Sequence, residues 1–182
     1  MTALARLRPR DACLWSMAPG LRRLSSRQGA APQLAPKWPC HQLDDVSAGY
    51  VDRLSSHALE LEGVEEAAPP LSAGGRAFAL DEAHAMGQPE SYIFAPIWLV
   101  IRPDGSLHLS LRPQWAQKVV GKGWGTVHPF ARYMAGAVPP QSLVIYAPRN
   151  AREFAVVGRI IEAAHAYASG RFGSVALPDS RW

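Results

Sequence analysis

The chain of 182 residues has only two cysteines, Cys13 and Cys40, and both lie within its first 43 residues. A disulfide framework or a cysteine-rich metal site in the remaining residues is therefore excluded. Long apolar runs are missing as well. The run Ile97–Ile101 is strand-sized, whereas a membrane-spanning helix needs roughly 18 apolar residues in succession. The sequence thus predicts no transmembrane segment.

Acidic residues are almost absent from residues 1–43, which hold seven basic side chains and one acid, Asp11. The basic residues are Arg6, Arg8, Arg10, Arg22, Arg23, Arg27 and Lys37. Because the whole chain has 19 basic and 15 acidic residues, residues 44–182 hold 12 and 14 and are faintly acidic. A nucleic-acid-binding domain needs Lys and Arg clustered on its folded surface, so no nucleic-acid partner is expected.

Residues 1–43 are rich in Arg, contain Ser and include five prolines, a composition that neither forms a long helix nor buries a core of its own. One interpretation is an organelle transit peptide, because such peptides are Arg-rich and poor in acids. The other is a disordered basic tail. We therefore predict a domain over residues 44–182, and two locations stay open, the cytoplasm and a mitochondrion-like organelle.

Hydrophobic periodicity predicts three helices in this domain. An amphipathic pattern runs from Asp44 to about Gly63, with Asp44 or its neighbour available as N-cap. A short helix begins at Pro113. The clearest helix follows Asn150, an N-cap with Glu three positions later, and ends before Gly170.

The central strands are predicted to form a hairpin. Ile97–Ile101 is rich in β-formers, residues 102–106 supply a turn in which Gly105 can adopt positive φ, and residues 107–111 alternate apolar with polar. That alternation places His108 on the face opposite the leucines. With a further strand at residues 143–146, the pattern favours an α+β fold: a small, largely antiparallel sheet with helices packed on one face and a C-terminal amphipathic helix.

Polar residues suited to chemistry concentrate at three turns or strand ends, near residues 104–108, 122–129 and 146–149. The glycines at 121–125 lack the Lys-Ser/Thr of a phosphate-binding loop, and no serine lies in a nucleophile-elbow context. The carboxylates of the domain form no obvious inward pair of the glycosidase type.

Four motifs in this order resemble the luciferase domain of fungal luciferases and their bacterial and eukaryotic relatives. They are Asp104-Gly105-Ser106-Leu107-His108-Leu109, Lys122-Gly123-Trp124-Gly125, His128-Pro129, and Tyr146-Ala147-Pro148-Arg149-Asn150 with the helix after it. The resemblance covers about residues 92–170, under half the chain.

The resemblance implies a cofactor-independent oxygenase that uses molecular oxygen as co-substrate. The fungal enzymes oxidise a 3-hydroxy-2-pyrone, and breakdown of the resulting peroxide yields carbon dioxide and light. Such chemistry needs a base for the enol proton, groups that hold the enolate, and a water-poor pocket. His108 and His128 are the candidate catalytic bases. Candidate substrate-binding residues are Asp104, Trp124, Tyr146 and Arg149.

One departure from the family pattern bears on activity. Relatives typically have a His-x-His pair on the strand before the Asp-Gly-Ser-Leu-His motif, where this chain has Trp98 and Val100. Too few histidines remain for a metal site, and none is predicted. The main hypothesis is therefore a non-luminescent oxygenase that acts on a small planar enol or hydroxypyrone-type compound. The alternative is a non-catalytic small-molecule-binding or protein-interaction domain that has lost the pair.

Overall fold

The computed structural model describes residues 18–44, 47–70, 74–133 and 141–173. Its helices are α1 (Val51–Leu59), α2 (Pro113–Gly121), α3 (Pro129–Tyr133) and α4 (Ala151–Ala168). Its strands are β1 (Val64–Ala67), β2 (Arg76–Leu80), β3 (Ile97–Ile101), β4 (Leu107–Ser110), β5 (Gly125–Val127) and β6 (Ser142–Ile145). Within the described ranges, no helix is long and apolar enough to cross a membrane.

The six strands form one open antiparallel sheet in the order β1-β2-β3-β4-β6-β5. The predicted hairpin is confirmed as β3 and β4, and Gly105 in its turn has a φ of 84°. A side chain there would meet the backbone oxygen of Ser47 at 2.8 Å, so the turn requires glycine. The predicted α+β class is confirmed.

Helix α4 matches its prediction closely, whereas α1 does not. The Asn150 side chain accepts a hydrogen bond from the Glu153 amide at 3.0 Å and caps α4. The helix predicted from Asp44 instead begins at Val51 after one 3-10 turn, and Asp44 accepts from the Gln33 amide rather than capping it. The start was predicted too early because hydrophobic periodicity contains no information about a contact between residues far apart in the chain. Residues 45 and 46 lie outside the described residues.

The apolar face of the sheet packs against α1, α2 and α4 and forms the main core. Leu107 and Leu109 of β4 are fully buried in it, together with Trp115 of α2 and Ile160 of α4. The opposite face of the same strands holds the polar side chains of β4 and also a small apolar cluster formed by Ala77, Ile93 and Val100. His108 lies there, between Val100 on β3 and Val144 on β6.

Residues 18–44, here called the strap, run along the domain and are part of its packing. Leu21 and Leu24 are buried in the main core, and the Arg27 amide donates to the Lys122 carbonyl at 2.9 Å. The strap belongs to the segment for which we predicted a disordered tail or a targeting peptide, and the targeting role stays a prediction. Residues 1–17, including Cys13, lie outside the described residues.

Leu21→Ala is expected to lower the free energy of unfolding by about 2–5 kcal/mol, because it removes a fully buried side chain from a core contact. Urea unfolding followed by tryptophan fluorescence measures the change. Leu43→Ala, in the same strap but at an exposed position, is the matched control and should change the value by less than about 0.5 kcal/mol. Equal, small effects of both variants would show that the strap contributes nothing to the core.

Candidate active site

The two candidate bases meet as a stacked pair. His108 projects from β4, and His128 follows β5, two residues beyond Thr126, which pairs with Val144. Both strands flank β6, so their side chains reach the same polar face of the sheet. The imidazole centroids are 4.3 Å apart with an interplanar angle of 26°, and both residues are buried.

Two aromatic side chains cover the histidine pair. Trp38 of the strap lies 6.2 Å from the His108 ring and 5.7 Å from the His128 ring, measured between centroids. Phe130 at the start of α3 contacts both Trp38 and His128, with centroids 5.5 Å and 5.7 Å away. The pair therefore lies in a largely apolar enclosure that limits access of water.

Burial keeps both imidazoles neutral at physiological pH. It lowers the pKa of His108 well below its ordinary value, and the charges of His128 and Arg102 act in the same direction. Burial, with the positive charge of Arg102 as the second cause, lowers the pKa of His128 to about 3. Neutral imidazoles can each accept a proton, although their low basicity requires that the resulting anion be stabilised nearby.

Arg102 is the residue that sequence reasoning missed at this site. Its Nη2 lies 3.4 Å from Nε2 of His128, and its side chain is almost completely buried. We had assigned it to the hairpin turn. The signal that could have found it is the alternation itself, because Arg102 is two residues beyond Val100 and therefore shares the face of His108.

Asp104 lies beside Arg102, and both oxygens of its carboxylate accept hydrogen bonds from uncharged donors. Its Oδ1 accepts hydrogen bonds from the amide and the hydroxyl of Ser106 at 2.8 and 2.7 Å. Its Oδ2 accepts from the Gln42 amide of the strap. Asp104 also lines a cavity of about 270 Å³ with Pro39, His41, Arg102 and Pro103.

Trp124 and Arg149 line a different, smaller cavity of about 160 Å³. The indole N–H of Trp124 donates to the Ser25 carbonyl at 2.6 Å. Arg149 donates from Nη2 to the Gln28 carbonyl and to Oε1 of Glu153, both at 2.5 Å. Both predicted substrate-binding side chains thus hold the strap against the domain.

Tyr146 also faces the strap. Its ring lies 5.4 Å from the Arg27 guanidinium carbon, and its amide donates to the Trp124 carbonyl at 3.0 Å. Burial raises the pKa of its phenol, so the hydroxyl stays protonated and remains a possible donor.

Of the six predicted site residues, the structure therefore brings His108 and His128 together. Asp104 lies near this pair, with Arg102 between them. Trp124, Tyr146 and Arg149 form a second group around Ser25–Gln28 of the strap. His108 and His128 line neither of the two cavities described above. In the described ranges, no group of three or more His, Cys, Asp or Glu side chains is arranged to hold a metal ion.

Comparison with known proteins locates the similarity in the segment that contains both histidines. The family model of the Luciferase domain matches residues 98–164. Luciferases of Armillaria gallica and Armillaria mellea are each 48% identical over 64 residues, which is 35% of this chain and 24% of each fungal protein. The luciferase of Neonothopanus nambi is 42% identical over a segment of the same length.

The matched segment thus spans about a quarter of the length of these fungal relatives. No solved structure gives a significant match to the chain. The segment covers β3 to most of α4 and includes the hairpin, the stacked histidines and Arg149. The similarity to the luciferase domain therefore extends over residues 98–164 of this chain.

Proposed function

We propose that the luciferase domain of this chain binds a small planar enol of the hydroxypyrone type and reacts it with molecular oxygen without a bound cofactor. The observation that carries the proposal is the stacked His108–His128 pair, buried beside the Arg102 guanidinium within the matched segment. The fungal relatives are luciferases; that activity belongs to those proteins and is the reason for choosing this chemistry.

His108 is the better candidate for the base that removes the enol proton. Its Nε2 is buried and, among the described residues, has no hydrogen-bond partner, so a lone pair or a proton at that atom is available to a ligand. Protonation of His108 would create an imidazolium next to the newly formed enolate. The attraction between these opposite charges in a low-dielectric site offsets the low basicity of the imidazole.

The enclosure suits a reaction in which an enolate transfers an electron to oxygen. Trp38 and Phe130 present apolar ring surface beside the histidines. An environment poor in water keeps the enolate electron-rich and prevents solvent from returning the proton. Access to the pair requires movement of Trp38, and with it the part of the strap near Pro39.

A second candidate function is ligand binding without turnover. Val100, at one of the two positions where relatives typically have the His-x-His pair, lies directly across from His108 on β3. Trp98, at the other position, is fully buried in the main core. Only the Val100 position therefore removes an imidazole from beside His108, and this loss favours a binding role if the pair performs the oxidation.

Oxygen uptake with 3-hydroxy-2-pyrones distinguishes the two candidates. We expect the purified chain to consume oxygen, with the product identified by mass spectrometry and light emission checked by photon counting. His108→Gln should reduce the rate by about 10²- to 10⁴-fold, the usual contribution of a general base. His57→Gln, a histidine on α1 outside the matched segment, is the control and should retain the rate.

Saturable binding of the pyrone without oxygen uptake would select the non-catalytic function. Oxygen uptake that survives replacement of both His108 and His128 would show that the reaction takes place elsewhere. Absence of both binding and uptake would contradict the whole proposal.

A further inference from the structure

Arg102 is a buried cation with weak hydrogen-bonding partners. The residue is only 1% exposed, its Nη1 is 3.5 Å from the Ser106 hydroxyl, and its Nη2 is 3.4 Å from Nε2 of His128. Its Nε has no partner among the described residues. Buried guanidinium groups are normally hydrogen-bonded to a carboxylate, since an unpaired buried charge is costly. Within the described ranges, no carboxylate forms a salt bridge with Arg102.

The nearby acid does not fill this role. Asp104 is close enough to favour the charged form of Arg102, but its two oxygens accept hydrogen bonds from Ser106 and Gln42. Burial lowers the pKa of Arg102 to about 10, which still leaves the guanidinium charged at neutral pH. Among the residues that the structure describes, the positive charge therefore has no directly bound counter-ion.

His128 presents a second donor at the same place. Its Nδ1 accepts a hydrogen bond from the Phe130 amide at 3.2 Å. A neutral imidazole whose Nδ1 accepts must hold its proton on Nε2, a tautomer assigned here from the hydrogen bonds. The Nε2–H group then faces Nη2 of Arg102, donor to donor, at 3.4 Å. Two donors that converge in this way suit one shared acceptor oxygen.

The spacing of these donors fits one oxygen atom. An acceptor placed beside the midpoint of the two nitrogens can lie about 2.9 Å from each, an ordinary N–H···O distance. Arg102 also lines the cavity of about 270 Å³ that Pro39, His41, Pro103 and Asp104 complete. His128 does not line it, so a ligand in this cavity must extend an oxygen past the guanidinium to reach Nε2 of His128. That volume is just below the usual range for ligand pockets and suits a small molecule of one or two rings.

We propose that Arg102 and His128 form an oxyanion-binding site for a small planar molecule with a delocalised negative charge, an enolate or a carboxylate. The enolate as the natural ligand rests on the proposed function, whereas the site itself rests on the converging donors. His128 is accordingly a hydrogen-bond donor that holds the anion, and His108 alone remains as the base. Arg102 is a binding residue that directly contacts the ligand.

Calorimetric titration of the full chain without oxygen tests the site with two pairs of probes. Benzoate and benzamide have similar shapes but differ in charge, as do a 3-hydroxy-2-pyrone, which can ionise, and its 3-methyl ether, which cannot. We expect benzoate and the hydroxypyrone to bind at least tenfold more tightly than their neutral partners. Arg102→Met should remove this preference, and Arg102→Lys, with a single ammonium in place of the fork, should retain part of it.

Thermal unfolding without ligand supplies an independent readout. Arg102→Met should raise the melting temperature, because it replaces a buried cation that has no counter-ion among the described residues by an uncharged, unbranched side chain. Arg112→Met is the matched control: Arg112 is also buried, but it donates to the Phe172 carbonyl and lies over the Trp115 ring. Its Nε, like that of Arg102, has no partner among the described residues. That variant should leave the affinity for anions unchanged.

Equal affinity of the wild-type chain for the charged and neutral member of each pair would overturn the inference, as would a lack of any anion binding at millimolar concentration. Undiminished anion affinity in Arg102→Met would also overturn it. The proposed function is tested separately. If anion binding depends on Arg102 but the chain takes up no oxygen, the site is upheld and the oxygenase is rejected. Unchanged oxygen uptake in Arg102→Met would reject the site and uphold the oxygenase.

Discussion

The free energy of unfolding is expected to fall steeply as the pH is lowered from 6.5 to about 5, by up to about 2.7 kcal/mol per pH unit. The cause is the buried pair His108 and His128, whose pKa values lie far below those of the unfolded chain. The unfolded chain binds two protons in this range that the folded protein does not. The stability is therefore complete above the unfolded pKa of 6.5 and is lost progressively as the pH falls toward the folded value of about 3 for His128.

Between pH 6.5 and about 5, titration of the histidines can be distinguished from that of the carboxylates, because most carboxylates stay ionised above about pH 5. His165 contributes in the same direction, because burial lowers its pKa as well. His84 contributes in the opposite direction, since its hydrogen bond to Asp81 raises its pKa. Urea unfolding at several pH values measures how much the free energy of unfolding changes per pH unit. A loss of packing in a variant lowers that free energy equally at every pH and therefore leaves this slope unchanged.

His108→Gln and His128→Gln should each remove about 1.4 kcal/mol per pH unit from this slope. His84→Gln is the contrasting control and should make the slope slightly steeper, because it removes a group that favours folding at low pH. A slope unchanged by either of the first two replacements would show that the histidine pair is hydrated and titrates normally.

Glu153→Gln is expected to destabilise the protein by about 3 kcal/mol, because it removes the partner of two arginines at a largely buried position. Glu153 accepts from Nε and Nη2 of Arg149 and lies 3.9 Å from Nε of Arg27. Burial raises the pKa of Glu153, but the hydrogen bonds from Arg149 outweigh that effect and hold the pKa below its ordinary value. The carboxylate is thus ionised and joins α4 to the strap.

Hydrogen exchange should locate the effect of Glu153→Gln. The Arg27 amide, which donates to Lys122, should exchange faster relative to amides of β4. Adding Arg149→Met to Glu153→Gln should recover part of the lost stability, since it removes a cation left without its carboxylate. Glu162→Gln, at an exposed position of the same helix, is the control. A loss below about 1 kcal/mol would mean that this ion pair is solvated and behaves as a surface pair.

These contacts change the interpretation of the predicted substrate-binding residues. Trp124, Tyr146 and Arg149 were chosen because their motifs resemble the luciferase domain, and each of them contacts the strap. Their roles in substrate binding stay predictions. Residues 25–28 form one wall of the cavity of about 160 Å³ that Trp124 and Arg149 line.

The helix and the hairpin that were predicted correctly have sequence patterns that involve only residues close together in the chain. Helix α4 combines a cap at Asn150, regular apolar spacing and a glycine beyond its end, so prediction and structure agree closely. The β3–β4 hairpin has a turn that requires Gly105 and a clean alternation in its second strand. Strand β5 has three residues and helix α3 has five, so neither is long enough to show a hydrophobic periodicity in the sequence.

The sequence by itself determined the α+β class, the hairpin, the position of His108 opposite the leucine row and the luciferase-domain motifs, because these follow from local spacing. The tertiary structure alone decided that His128 stacks on His108, that Arg102 lies against His128 with no carboxylate bound to it among the described residues, and that Trp38 of the strap covers the pair. Those contacts join residues up to 90 positions apart, as between Trp38 and His128. No local period encodes them, since they arise only when the sheet brings β4, β5 and β6 side by side and the strap packs across their polar face.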